Sequence, residues 1–317
     1  MENKINLYLL TGFLGSGKTT FLTNVLNNLS EEKIGVIMNE FGKMGIDGQI
    51  IKKEGMELIE INKGSIFCSC LKLSFAHAMV EMSKGSLKYL FVESSGLADP
   101  SNIGDVLSGV EVEVGNVYDY KGAICLVDAL HFLDQIEDLE TVERQLKHCH
   151  LVVINKIDLV NEETLSQIKN KIIDINSKVE IQECSFGELS YDFLSHDLMK
   201  NQWTEDEETT NTPESKPKSL NLTFNGQVTK EELTEFLNSV SESSYRIKGF
   251  FKLEDGWNQV DVVNRKIDYK LLTLGEAESP LGESESKLVF ISKIGPNIIK
   301  PIIDNWKTII GQEMKLR

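Results

Sequence analysis

Near the amino terminus, Gly12-Phe13-Leu14-Gly15-Ser16-Gly17-Lys18-Thr19 has the residue types and spacing that hold a polyphosphate. It fits G-x-x-x-x-G-K-[ST], the P-loop. The glycines let successive backbone N–H groups turn inward on phosphate oxygens at the positive end of a helix. In that geometry Lys18 reaches the β- and γ-phosphates, and the Thr19 hydroxyl ligates Mg²⁺. Thr20 completes the nucleotide-binding set of Gly12, Gly15, Ser16, Gly17, Lys18 and Thr19. The apolar run Ile5-Asn6-Leu7-Tyr8-Leu9-Leu10 before the motif reads as a buried strand, and residues 20–29 after it show helical spacing. Strand, glycine loop, helix is the context the motif requires.

Two further stretches extend this chemistry. Asn155-Lys156-Ile157-Asp158 fits N-K-x-D. The Asp158 carboxylate can accept from both the ring N–H and the exocyclic amine of guanine, a pair adenine does not offer. Asn155 can support the base and brace the P-loop, while the Lys156 stem covers the base's face. Glu93-Ser94-Ser95-Gly96 sits where small GTPases carry an acidic residue and a glycine that contact Mg²⁺ and the γ-phosphate. Glu93 would bind the magnesium directly or through water, and the Gly96 N–H would sense the γ-phosphate. A helix cap by Ser94 or Ser95 is the plain alternative.

These residues need a scaffold that gathers strand ends. Apolar runs at 33–38, 57–61, 89–92, 123–128 and 151–154 read as strands, with helical patterns at 73–84, 137–147 and 162–176 between them. Buried strands alternating with helices predict an α/β fold, a doubly wound and mostly parallel P-loop NTPase sheet. Ligands of such sheets sit at the carboxyl ends of the strands, where every motif above falls. Residues 1–198 are expected to form this domain. Residues 199–218, with Glu205-Asp206-Glu207-Glu208, read as an acidic linker. Residues 219–317 read as a second, smaller α+β domain: strand 220–224, helix 230–240, strands 245–253, 257–263 and 267–274, strand 287–291 and helix 296–310. That domain is expected to cover the switch side or to present a client surface.

Composition narrows the classes of function. The chain has 317 residues, 41% hydrophobic and 26% charged, enough for an ordinary globular core. A formal net charge of −16 argues against a nucleic-acid partner. No apolar run approaches the ~20 residues of a membrane span, so no membrane partner is expected. The strand and P-loop begin too early for a signal peptide, and five cysteines, two of them in a C-x-C pair, suit a reducing compartment. Both point to the cytoplasm.

Residues 11–20, Asn39-Glu40-Phe41-Gly42 with Gly45-Ile46-Asp47, Glu93-Ser94-Ser95-Gly96-Leu97-Ala98-Asp99-Pro100, Leu126-Val127-Asp128-Ala129 and 155–159 together resemble the CobW-type metallochaperone GTPases, relatives of the urease and hydrogenase maturation GTPases. The carboxy-terminal region is similar too, down to Lys287-Leu288-Val289-Phe290-Ile291. The resemblance implies a slow, Mg²⁺-dependent GTPase that couples nucleotide state to delivery of a metal or metallocofactor to a client protein. Mg²⁺ is expected on Thr19, with Glu93 and Asp47 in support; no side chain is an obvious general base, and Glu40 or Glu93 is the candidate for positioning the attacking water. Three departures qualify it. The family has C-x-C-C after a glycine; here Gly64-Ser65-Ile66-Phe67-Cys68-Ser69-Cys70 keeps only the last cysteine and adds one two residues later. A second glutamate usual after Asn-Glu-Phe-Gly is Lys43, and 275–286 lacks the histidine-rich loop of zinc-handling members.

Cys68 and Cys70 can supply two thiolates, with Glu40 carried over from the family motif as a third ligand. Zn²⁺, Ni²⁺ or Co²⁺ suits such a set, as does a corrinoid client. The alternatives are packing thiols or a redox-sensitive pair. His148-Cys149-His150 ends a helix before a buried strand; consecutive residues diverge by roughly 100°, so cationic histidines at a helix C-terminus are the expectation there. Three functions stay open: a metallochaperone, a maturation or reactivation factor that binds a cofactor-containing client and no free metal, and a P-loop phosphotransferase. A homodimer is the base-rate expectation.

Overall fold

The computed structural model describes residues 4–40, 56–62, 66, 72–202, 219–263, 265–272 and 285–317. Lys43, Asp47, Cys68, Cys70, the acidic run Glu205-Asp206-Glu207-Glu208 and most of 275–286 lie outside them, as does the side chain of Glu40. The chain divides into two units, Met1–Lys216 and Pro217–Arg317.

In the first unit the order is β1 (Ile5–Thr11), α1 (Lys18–Asn28), β2 (Ile34–Glu40), β3 (Glu57–Asn62), α2 (Lys72–Ser83), β4 (Tyr89–Glu93), α3 (Ile103–Val114), β5 (Tyr118–Asp128), α4 (Phe132–Asp138), α5 (Glu140–Lys147), β6 (Leu151–Asn155), α6 (Glu162–Ile175) and β7 (Glu180–Glu183). The sheet runs β3-β2-β4-β1-β5-β6-β7, and each of its pairings is parallel. Strands β1, β4 and β6 are buried along nearly their whole length, which is why they read as continuous apolar runs rather than alternating ones. Helix α1 turns Phe21, Leu22, Val25 and Leu26 onto Tyr8, Leu10, Val36 and Leu126. In α6, Leu165, Ile168 and Ile172 repeat at helical spacing, and Asn161 caps the helix by accepting from the Thr164 N–H at 2.8 Å. Packed chain continues past β7: Phe193 and Leu198 are fully buried in the core, and the Asn201 amide donates to the His150 carbonyl at 3.1 Å.

Three features of this unit differ from the sequence-based expectation. The helix expected over 137–147 is two helices, broken where Leu139 adopts an extended conformation (φ −130°, ψ 101°). Phe132 and Val142 are both buried, and on one straight helix residues ten apart would diverge by about 80°. Helix α3 was not foreseen. Its Val110-Glu111-Val112-Glu113-Val114 alternates like a strand, and its two glycines and many β-branched residues are poor helix formers; only Ile103, Val106 and Val110 face the core. Strand β5 begins at Tyr118 rather than 123, with a register shift against β1 between Leu7 and Tyr8.

The second unit holds β8 (Ser219–Phe224), α7 (Lys230–Ser241), β9 (Ser244–Leu253), β10 (Gly256–Val263), β11 (Lys266–Leu271), β12 (Ser286–Ser292), α8 (Ile299–Ile309) and β13 (Lys315–Leu316). Its sheet, β11-β10-β9-β12-β8-β13, is antiparallel throughout. Helix α7 starts at a capping box between Thr229 and Glu232. Trp306 of α8 packs edge-on against Phe224 and Phe236 in a core separate from that of the first unit.

Candidate nucleotide site

The carboxyl ends of β1, β4, β5 and β6 bring the motifs of the first unit to one edge. The loop after β1 needs two unusual backbone positions. Gly12 has φ +127°, and a Cβ there would lie 2.2 Å from the Leu126 carbonyl oxygen of β5. Gly17 has φ +98°, and a Cβ there would lie 2.4 Å from the Asn155 amide nitrogen. Both sites therefore exclude a side chain twice over, by conformation and by space. Gly17 also precedes α1 with no side-chain cap on the helix, so the opening N–H groups of α1 are presented to the loop. Lys18 is buried and folds back, its ammonium donating to the carbonyls of Gly12 at 2.7 Å and Phe13 at 3.0 Å. Thr19 donates to Glu93 Oε1 at 2.9 Å, which brings together the two oxygen ligands expected for Mg²⁺. Thr20 lies in the first turn of α1 and is exposed.

Asn155, 2% exposed at the end of β6, is the hub of the edge. Its Nδ2 donates to the Ser16 carbonyl at 2.9 Å, and its Oδ1 accepts from the Gly187 N–H at 3.1 Å and the Cys184 thiol at 3.4 Å. One side chain thus ties the P-loop to the segment after β7. Lys156 takes a left-handed conformation (φ 65°) and donates to the Gly15 carbonyl at 2.8 Å and to Asp128 Oδ2 at 2.7 Å. Asp158 sits in the short 3-10 turn Ile157–Leu159 that follows β6, and it is exposed. The backbone of this turn is tied to the segment after β7, the Ile157 N–H donating to the Cys184 carbonyl at 3.3 Å.

Glu93 is 6% exposed at the end of β4. Ser94 and Ser95 do not cap a helix: α3 begins only at Ile103, the Ser94 hydroxyl donates to the Leu10 carbonyl at 3.0 Å, and the Ser95 N–H donates to Asn39 Oδ1 at 3.4 Å. Gly96 approaches the P-loop closely, for a Cβ on it would lie 2.6 Å from the Leu14 nitrogen.

The donor set fits a nucleoside polyphosphate with a hard cation. The buried hydroxyls of Thr11, Ser16 and Ser95 have no hydrogen-bond partner in the protein, an arrangement that invites an external one. Uncapped helix N–H groups suit phosphate, and the Thr19 and Glu93 oxygens suit Mg²⁺.

The histidine cluster behaves otherwise than expected. His150 is not cationic. It is buried, and its Nδ1 accepts from the Ala123 N–H at 3.0 Å, which leaves the proton on Nε2 and makes that nitrogen unfit to ligate a metal. Burial, with the neighbouring His148 adding to it and Asp197 opposing, pushes its pKa down to about 4. Cys149 is buried, and burial together with a hydrogen bond to the Cys125 thiol holds its pKa well above the usual thiol range. Among the described residues no group of three His, Cys, Asp or Glu side chains is placed to hold a metal ion.

Sequence reasoning missed the Cys184–Gly187 stretch. Strand β7 has three half-buried residues, an exposed Glu183 and no clear period, so nothing marked the loop beyond it as part of the site. There Phe186 is in a left-handed conformation (φ 56°), its carbonyl accepts from Asn24 of α1 at 3.0 Å, and burial pushes the Cys184 thiol up to about 11, keeping it a protonated donor to Asn155. The pairing of Asp128 with Lys156 was missed as well.

The family description "CobW/HypB/UreG, nucleotide-binding domain" matches residues 6–183, and "Cobalamin synthesis protein cobW C-terminal domain" matches residues 218–303. The zinc chaperone YjiA of Escherichia coli (strain K12) is 30% identical over 197 residues, 61% of each chain. The zinc chaperone CobW of Sinorhizobium sp is 32% identical over 218 residues, 60% of this chain and 61% of its own. The chain thus spans about three fifths of the length of these curated relatives. A crystal structure titled Zn(II)-bound YjiA GTPase from E. coli superposes with a TM-score of 0.46 at 22% identity, covering 97% of this chain and 99% of that one.

Proposed function

Because the chain belongs to the CobW/HypB/UreG family of P-loop GTPases, we propose that it binds and hydrolyses GTP with Mg²⁺ and couples the nucleotide state to delivery of a metal ion to a client protein. The observation that carries the nucleotide reading is Asn155, whose amide braces Ser16 of the P-loop while its own motif presents Asp158. In this reading Lys18 exchanges its contacts with the loop carbonyls for the β- and γ-phosphates. Thr19 and Glu93 hold Mg²⁺, which would neutralise the charge that develops on the phosphates. Asp158 accepts from the guanine edge and Lys156 covers its face. Gly96 meets the γ-phosphate, and Glu93 or Glu40 orients the water.

Zinc is the cargo to test first, since the relatives above are named zinc chaperones. Cys68 and Cys70, with Glu40, are its proposed ligands. A second reading rests on the sequence itself: with two thiols where the family has C-x-C-C, and Lys43 where it has a second glutamate, a factor acting on a metal- or corrinoid-containing client without holding free metal is also consistent. One experiment separates them. The reduced protein is titrated with Zn²⁺, Ni²⁺ and Co²⁺, with and without a non-hydrolysable GTP analogue, beside a Cys68→Ser/Cys70→Ser variant. Nucleotide-dependent binding that the variant loses supports the chaperone; no tight binding in any nucleotide state refutes it in favour of the client factor. Lys18→Ala is expected to abolish guanine-nucleotide binding, and retained affinity would sink the P-loop assignment.

A further inference from the structure

The geometry points to Gln145 as a positioning residue for the triphosphate state: with Arg144 beside it, it holds the turn that carries Gly96 against the P-loop. The inference rests on the reading of this edge as a GTP site. Residues 95–98 form a turn closed by the Ala98 N–H donating to the Ser95 carbonyl at 3.0 Å. Upstream, the turn is fastened to the sheet. The Ser94 N–H and hydroxyl both donate to the Leu10 carbonyl of β1, at 2.9 and 3.0 Å. The Ser95 N–H reaches Asn39 of β2. Downstream, it is fastened to α5. Gln145 Nε2 donates to the Ala98 carbonyl at 2.9 Å and to the Gly96 carbonyl at 3.3 Å, and the residue is 1% exposed. Arg144 Nε donates at 2.7 Å to Asp99 Oδ2, and the Ser101 N–H donates to Asp99 Oδ1 at 3.0 Å.

Asp99 is fully buried, so its carboxylate cannot leave the guanidinium without a large desolvation penalty. The segment after the turn is therefore pinned to α5 by charge, while the turn itself meets α5 through the neutral Gln145 amide. Gly96 lies between the two fastenings and close to Leu14 of the P-loop. A small displacement of the turn would change the Gly96 contact with a γ-phosphate and leave the α- and β-phosphate contacts of residues 15–19 alone. Gln145 thus bears on the triphosphate, and not on the diphosphate.

The test compares nucleotide affinities of the full chain and of Gln145→Met, which keeps the volume and removes both donated bonds. Affinity for a non-hydrolysable GTP analogue is expected to fall about ten-fold, the equivalent of a lost hydrogen bond or two. GDP affinity should stay within about two-fold, which also reports that the variant folds. Under steady-state conditions kcat should fall with the analogue affinity. Gln145→Asn, which draws the amide back by one methylene, should lie between the two and serves if the methionine variant does not fold. Equal losses for GDP and analogue, or no loss for either, would overturn the assignment. A wild-type chain that binds neither nucleotide would instead overturn the GTP reading on which it rests.

Discussion

Asn155→Ala tests whether one side chain assembles the nucleotide edge. The amide makes three contacts: Nδ2 to the Ser16 carbonyl at 2.9 Å, and Oδ1 from the Gly187 N–H at 3.1 Å and the Cys184 thiol at 3.4 Å. Truncation leaves the Ser16 carbonyl and the Gly187 N–H without these partners at a position 2% exposed to solvent. A buried backbone group left unmade costs about 1–3 kcal/mol, and the weak thiol bond adds less, so the expected loss is about 2–5 kcal/mol. With a urea dependence of about 2–3 kcal/mol per molar, the midpoint for the first unit should drop by about 0.7–2.5 M. GDP affinity should fall with it, because the P-loop loses its brace and the Gly187 segment its tether. Asn155→Asp sharpens the case. It keeps the acceptor for Gly187 and Cys184 but sets a carboxylate oxygen against the Ser16 carbonyl, so it should bind GDP no better than the alanine variant. Urea unfolding and titration with fluorescent GDP read both quantities. An alanine variant within about 0.5 kcal/mol of wild type, with GDP affinity unchanged, would refute the hub.

Other outcomes follow from the same geometry. Gly12→Ala forces a Cβ to 2.2 Å from the Leu126 carbonyl at φ +127°, and should destabilise the first unit by about 3 kcal/mol or more; an unchanged melting temperature would mean that the loop and β5 are not so close. Asp158→Asn should weaken GTP while improving xanthosine triphosphate, measured by competition; equal losses for both would remove the guanine-reading role. His150 should make stability depend on pH. Its folded pKa of about 4 lies below the ordinary 6.5, so the unfolded chain binds more protons between these values. Stability is then full above pH 6.5 and falls as pH drops towards 4, by about 3 kcal/mol at most. His150→Asn should flatten the urea midpoint over that window, and a variant with the same slope as wild type would refute the buried neutral imidazole.

What could be read from the sequence was what the chain keeps together. Residues 12–19 and 155–158 are contiguous, and the strands that carry them are buried on both faces, so apolar runs ending in polar motifs located both the sheet and its ligand edge. The rest depended on contacts between distant residues or on local conformations that tertiary packing overrides. Gln145 meets Ala98 across 47 positions and Gly187 meets Asn155 across 32, with no local pattern to announce either. Helix α3 hid behind alternating valines because burial at Ile103, Val106 and Val110 outweighs their weak helical preference. The charge of His150 was misjudged because a helix terminus suggests a cation, whereas the Ala123 N–H that selects the neutral ring comes from β5. A thiol pair two residues apart was visible as a metal candidate, yet Cys68 and Cys70 lie outside the described residues.

The separate cores also decide which optical signals mean what. Trp257 is on β10 and Trp306 on α8, both in the second unit, while the remaining tryptophan, Trp203, lies outside the described residues. Tyr8, Tyr89, Tyr118, Tyr120 and Tyr191 all belong to the first unit, and Tyr8 is fully buried against Phe91 and Phe193. Emission from the buried indole of Trp306 therefore reports the melting of the carboxy-terminal sheet. A lesion in the P-loop could unfold the nucleotide-binding half and leave that emission in place. Release of a bound fluorescent nucleotide is the signal that follows the half where the GTP chemistry is proposed to occur; tyrosine absorbance follows it in part, since Tyr245 and Tyr269 belong to the second unit.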